Sequence, residues 1–364
     1  MSVPKQSLTK LSCASLTLIL ATAALLGLIF FFKGQAPSPV RANPISVGFI
    51  PDVGGIHDQG FNQATYEGLV RAETQLGITG NVYTTTSGSD YAAKLQQCAT
   101  DGNKLCITVG FSMGEATFSA AEVYTATDFA TMDFDFSYLG YPNNLRGIVF
   151  SEKEVGYLAG TLAGKMTQSN VVGTVAGFSI PAVVRFATGY QNGAQCANPA
   201  AFVITKYTGS FIDPVLGAQE AQAMLARQAD VIFGVGGSTG NGALLTATQS
   251  GAWGIGVDAD QFITLFNSGT VPGSNKLLTS AMKRLDNAAF NTISDVISGT
   301  FTSGTLVETL ASGGVELAPF HQTDAAVSQA VKDELDTVKQ GVIDKTIDID
   351  QPCRIGVYLP FVNR

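Results

Sequence analysis

The chain has 364 residues, 45% of them hydrophobic and only 14% charged, with a mean hydropathy of +0.22. It is too apolar to be disordered and long enough for two domains with their own cores. The net charge is −8, but residues 1–42 hold four bases and no acid; the other 17 bases face 29 acids, and an acidic body with one Trp, two His and no basic run excludes nucleic-acid binding.

Residues 11–32 contain no charge and are flanked by Lys5, Lys10 and Lys33. Such a segment is either a cleaved signal peptide or an uncleaved N-terminal membrane anchor. Val40-Arg41-Ala42 offers small residues at the −3 and −1 positions of a cleavage site. Both readings export the body. Cys13 precedes the apolar run, so it is not the acylated cysteine of a bacterial lipoprotein, which follows that run. No other stretch is as long and apolar, so the body is not a membrane bundle.

From residue 45 strands and helices alternate. Residues 45–52 read as a buried strand and 60–77 as an amphipathic helix. Strands at 81–87, 105–111 and 129–136 alternate with helices at 90–102 and 114–124. A strand at 145–151 leads into a small-residue-rich helix at 154–166. Then follow strand 171–177, helix 181–194, strand 200–209, helix 213–228 and strand 229–237. A helix from Asn241 precedes strands at 253–260 and 277–283. Helix 285–299, strand 305–310 and helix 323–341 complete the series. This alternation means α/β with parallel sheets, whose strands are buried on both faces and read as apolar runs. About a dozen strands exceed one simple sheet. They fall into two similar series, before and after about residue 147, so two α/β lobes are expected with a ligand cleft at the carboxyl ends of the strands.

Four cysteines lie in the body. Cys98 and Cys106 bracket a helix-to-strand turn, where a local disulfide is plausible; Cys196 and Cys353 would then pair at long range. Two histidines and no CxxC give no metal site.

Five strand-end loops carry candidate chemistry. In FIPDVGGIHDQGFNQ, Asp52 ends a strand and Phe61-Asn62 open a helix, pairing an aromatic face with an amide edge for a planar ligand. In VGFSMGEA, residues 110–114 fit G-x-S-x-G, and Ser112, Asp258 and His321 fall in the order of an exported serine hydrolase. No HGGG-type oxyanion element precedes that motif; the other reading is a loop presenting backbone and Glu115 to a cleft. FGVGGSTGNG (233–242) lacks the Lys-Ser/Thr of a P-loop and lets a ligand approach backbone N–H groups. GIGVDADQ puts Asp258 at a strand end as an acceptor for sugar hydroxyls, and SAMKRLD offers Lys283 as a donor or as the partner of an acid.

These loops in series resemble the basic-membrane-protein family of extracytoplasmic solute receptors, the purine nucleoside receptors of ABC transporters. The resemblance runs from about residue 45 to beyond 340. It is carried by DVGGIHDQGFNQ (52–63), RGIVFSEKEVGYLAGTLAG (146–164), PAVVRFATGYQNGA (181–194), ADVIFGVGGSTGNG, GIGVDADQ and SAMKRLD. It implies a type I periplasmic-binding fold, two Rossmann-like lobes joined by three crossovers. The expected lobes are 43–147 with about 283–303, and 148–282 with about 304–364. It implies a monomeric receptor, without catalysis or cofactor, that holds a nucleoside between the lobes and delivers it to an ABC permease. Phe61 and Phe186 would sandwich the purine, Asn62 and Glu115 would meet the base edge with Asp52 as a partner in the first loop, and Gly237, Asp258 and Lys283 would meet the ribose. Glu115 stands where the family often has Asp. The lipoprotein cysteine of many members is missing, so residues 11–32 would supply any anchor. The same fold binding a sugar or another small polar solute is the alternative; a repressor of this fold would need a helix-turn-helix where the apolar segment stands.

Overall fold

A computed structural model describes residues 44–351. The expectations for the N-terminal export segment and for Cys353 lie outside these residues.

The first sheet is built from β1 (Ser46–Ile50), β2 (Thr79–Val82), β3 (Leu105–Val109), β4 (Asp128–Met132), β5 (Leu145–Phe150) and β11 (Gly304–Glu308), in the order β11-β5-β4-β3-β1-β2. The second comprises β6 (Val171–Ala176), β7 (Phe202–Tyr207), β8 (Val231–Val235), β9 (Trp253–Asp258), β10 (Leu277–Lys283) and β12 (Val315–Leu317), in the order β12-β10-β9-β8-β6-β7. Neighbouring strands are parallel except the short β12, which runs antiparallel to β10. The chain passes between the sheets three times, after β5, after β10 and after β11. This is the expected two-lobed α/β architecture. Its central strands are wholly buried: β3 and β8 expose no residue.

The helices are α1 (Phe61–Leu76), α2 (Tyr91–Thr100), α3 (Gly114–Val123), α4 (Glu152–Met166), α5 (Pro181–Ala197), α6 (Pro214–Ala226), α7 (Gly237–Gln249), α8 (Leu285–Ser298) and α9 (Gln329–Ile343). The small residues of α4 have a packing cause. A Cβ on Gly160 would lie 2.0 Å from the Tyr190 carbonyl oxygen of α5. The two helix backbones therefore touch, as small-residue stripes permit in any apolar setting. Among the described residues no helix is long and apolar enough to cross a membrane.

Several boundaries differ from expectation. β2 ends at Val82, because Thr85 turns away to donate to the Pro51 carbonyl and Ser87 with Asp90 caps the following turn. β4 stops at Met132, because Asp133 takes a left-handed backbone with φ 65°. The glycine-rich run hides the true start of α7, at Gly237 rather than Asn241; Gly237 has φ 54°, and a Cβ there would lie 2.8 Å from the Phe211 carbonyl oxygen. The last helix begins at Gln329, where Ser328 accepts from the Val331 N–H. The lobe boundaries also shift. All of β5 pairs within the first sheet, and β11, expected in the second lobe, pairs parallel to β5 from Gly304 opposite Arg146 to Glu308 opposite Phe150.

Cys98 and Cys106 form the expected local disulfide between α2 and β3, with Cα atoms 6.2 Å apart. Closing so short a loop contributes about 2–3 kcal/mol in the chain-entropy view.

Candidate functional site

The carboxyl ends of both sheets face a cleft of about 270 Å³. Loops after β1, β3 and β4 line it from the first lobe. Loops after β6, β7 and β8, and the ends of β9 and β10, line it from the second. Of the eight residues expected in the site, seven meet there: Asp52, Phe61, Asn62, Phe186, Gly237, Asp258 and Lys283. Glu115 does not. It lies exposed in the first turn of α3, outside the lining.

The first loop is braced by its own polar groups. Asp58 accepts from the N–H groups of Gly60, Asn62 and Gln63, which caps α1. Asn62, 3% exposed, accepts from the Asp52 N–H at 2.8 Å and donates one amide hydrogen to Asp58 at 3.0 Å. Asp52 accepts from the hydroxyls of Tyr91 and Ser112.

Lys283 stands at the centre. Its side chain is 3% exposed, and Nζ lies 2.5 Å from Asp133 Oδ2 and 3.0 Å from Glu152 Oε1. Glu152, wholly buried, also accepts from Arg185 at 2.6 Å. The ammonium sits 5.2 Å from the Phe61 ring centre and 5.4 Å from those of Phe186 and Phe150. Burial works to lower the Lys283 pKa, but Asp133, Glu152 and Asp258 outweigh it and hold it above the ordinary range, so the ammonium stays charged. Asp258 is pushed up to about 7, first by burial, with Lys283 opposing and the carboxylates of Asp133, Asp58 and Glu152 adding to the rise. Burial likewise raises Asp133, against the pull of Lys283. Asp133 and Asp258 both have φ 65°, one at a strand end of each sheet. This conformation is tolerated by Asp better than by most residues.

Sequence reasoning missed Asp133. Its Oδ1 is buried with no hydrogen-bond partner among the described residues, and the residue lines the cleft. It also missed the aromatic rim. Phe111, 44% exposed, stands on the first lobe; Phe178, 47% exposed, meets Phe211 edge-on at 5.2 Å on the second. Phe186 is only 2% exposed and packs edge-on against Phe233 in the wall. Phe111 and Phe211 each follow closely on a strand, and that position is the signal that could have found them.

The hydrolase arrangement does not assemble. Ser112 donates to Asp52 at 2.7 Å. His321 pairs instead with Asp260 at 2.7 Å and stacks on Phe262 at 4.1 Å. No group of side chains suited to a metal ion occurs among the described residues.

Residues 45–351 match the family model of PnrA-like ABC transporter substrate-binding proteins, Bmp. The chain is 30% identical over 319 residues to an ABC transporter nucleoside-binding protein, BmpA, of Lactococcus lactis, an overlap of 84% of this chain and 89% of that one. It is 30% identical over 295 residues to a lipoprotein of Pyrococcus horikoshii, covering 77% and 70% of the two chains. A solved solute-binding protein of an ABC transporter system from Aeropyrum pernix superposes with a TM-score of 0.75 at 27% identity, over 84% of this chain and 93% of that one.

Proposed function

The chain belongs to the Bmp family of PnrA-like ABC transporter substrate-binding proteins, a family that binds rather than transforms its ligand, and from that premise we propose that it is an extracytoplasmic receptor that holds a purine nucleoside in the cleft and delivers it to an ABC permease. The observation that carries this reading is the pairing, in one cleft, of aromatic rings with a buried ammonium flanked by strand-end carboxylates from both sheets. A nucleoside has the matching halves, a flat apolar base and a ribose rich in hydroxyls. The ribose hydroxyls donate to Asp258 and to the free oxygen of Asp133, and accept from Lys283. The base lies against Phe61, with the aromatic rim opposite and Asn62 and Asp52 at its edge. Gly237 brings backbone close to the ribose. Four carboxylates, Asp52, Asp58, Asp133 and Asp258, line the cleft against the single ammonium of Lys283. That balance opposes a phosphorylated ligand and favours the nucleoside over its nucleotide. The lipoprotein relative supports a site of action outside the cytoplasm. The receptor acts as a monomer.

Phe61→Ala tests the stacking. Base-on-aromatic stacking is worth about 1–3 kcal/mol, so guanosine affinity in a calorimetric titration is expected to fall by about tenfold or more. Unchanged affinity contradicts the stacked pose.

The raised pKa of Asp258 makes binding proton-linked. Below about pH 7 the free site is mostly protonated, whereas hydroxyl donors favour the carboxylate, so binding releases a proton. Affinity is expected to rise as pH increases from about 5 to 7, by up to about tenfold per unit, and to level off above. Titrations in buffers of different ionisation enthalpy measure the released proton, and Asp258→Asn removes the slope. A flat profile for the unaltered protein argues against Asp258 as the acceptor.

A further inference from the structure

The loop between β1 and α1, which carries Asp52 and Asp58, touches the second lobe through two consecutive backbone carbonyls. Asn241, on α7, donates through Nδ2 to the Asp58 carbonyl at 3.1 Å. Thr264, beyond β9, donates through Oγ1 to the Gln59 carbonyl at 2.7 Å. Gln59 has φ 62°, a conformation uncommon for glutamine. Asn241 is 8% exposed and next to the cleft.

The direction of the Asn241 amide follows from a buried chain of donors. Gln261 is 1% exposed. Its Oε1 accepts from the Val257 N–H at 3.0 Å, and its own N–H donates to Ser280 Oγ at 3.1 Å. A backbone N–H can only donate, so Gln261 must turn its oxygen to Val257 and its amide nitrogen to Asn241. That nitrogen donates to Asn241 Oδ1 at 2.6 Å. Asn241 must then present its own amide hydrogens to the Asp58 carbonyl. One orientation of both amides satisfies the whole chain. It starts one residue before Asp258 and ends on the loop that carries Asp58, Phe61 and Asn62.

We propose that Asn241, oriented by Gln261 and assisted by Thr264, is a positioning residue that fastens the second lobe to the first ligand loop and sets how long the bound solute stays. Contacts made when the lobes are shut slow opening and leave the first encounter with ligand nearly untouched. Asn241→Asp keeps the shape but turns an oxygen toward the Asp58 carbonyl, replacing an attraction with a repulsion. The proposal takes nucleoside as the ligand from the reading above, but the fastening itself does not depend on which solute binds.

Two measurements on the full chain keep these apart. Stopped-flow kinetics with guanosine should show dissociation accelerated by about tenfold or more in Asn241→Asp, with association changed by less than about threefold. Spin labels at the exposed positions 123 and 215, one on each lobe, should report a longer and broader lobe separation in the ligand-free variant, with a melting temperature within about 3 °C of the parent. Thr264→Val should move both readouts in the same direction by less, and it decides the matter if Asn241→Asp does not fold. An unchanged lobe separation in a folded variant overturns the proposal, as does faster dissociation accompanied only by a lowered melting temperature. Failure of the parent protein to bind guanosine, inosine and adenosine alike defeats the nucleoside reading, while the ligand-free lobe separation still decides the fastening.

Discussion

Replacing Lys283 with methionine is expected to destabilise the protein by about 3–5 kcal/mol at pH 8 and to abolish measurable nucleoside binding. The ammonium lies 2.5 Å from Asp133 and 3.0 Å from Glu152, and all three side chains are at least nine-tenths buried. Without it the Asp133 carboxylate loses its counter-ion, and Asp258 loses a cation that opposes its rise. Arg185 still holds the other oxygen of Glu152 at 2.6 Å, so the loss falls mainly on the two strand-end aspartates. The pH dependence gives the mechanism away. Asp133 and Asp258 have folded-state pKa values above their unfolded ones, so the native state binds more protons and stability falls as pH rises through that range. Losing Lys283 raises both further, so the deficit should shrink steadily as pH is lowered from about 8 to 5. Denaturant unfolding at several pH values measures it. A deficit independent of pH would assign the loss to packing rather than to uncompensated charge. Adding Asp133→Asn should restore part of the stability but not the binding.

Asp258→Ala should weaken nucleosides far more than free bases. A hydrogen bond to a charged group is worth about 1.5–3 kcal/mol, and a ribose can offer the carboxylate two hydroxyls, so a loss of about 100-fold is expected for guanosine. Guanine has no ribose, and its affinity should change by less than about threefold. Parallel calorimetric titrations of the two ligands make the comparison. Equal losses would remove Asp258 from the ribose and require another pose in the cleft.

Much of this architecture was legible because buried parallel strands write themselves as apolar runs. The ends of those runs mark Asp52, Asp258 and Lys283. Other features left no such trace. Asp133 sits inside FATMDFDF, where alternating aromatics extend the apparent strand past the residue at which the backbone turns left-handed. The start of α7 was obscured because glycine disfavours helix, whereas packing of Gly237 and Gly240 against neighbouring backbone decides the matter here. β11 exposes Leu306 and Val307 at a sheet edge, and its pairing with β5 is a long-range choice that local pattern does not encode. Glu115 directly follows the G-x-S-x-G loop, which points it at the cleft in sequence, but the helix carries it out to solvent. Phe186 lines the cleft but is only 2% exposed and packed into its wall, whereas Phe111 and Phe178 on the rim are exposed, which motif position alone does not encode.

Calorimetric titration of the protein with guanosine, inosine and adenosine, beside guanine, guanosine monophosphate, ribose and glucose, tests the central claim most directly. The geometry of the cleft predicts that at least one purine nucleoside binds with one-to-one stoichiometry and a dissociation constant of about 1 μM or tighter. Its free base and its monophosphate should each bind at least about 100-fold more weakly, the base for want of ribose contacts and the monophosphate because of the four carboxylates. Tight binding of a sugar, or no heat with any nucleoside, would contradict it.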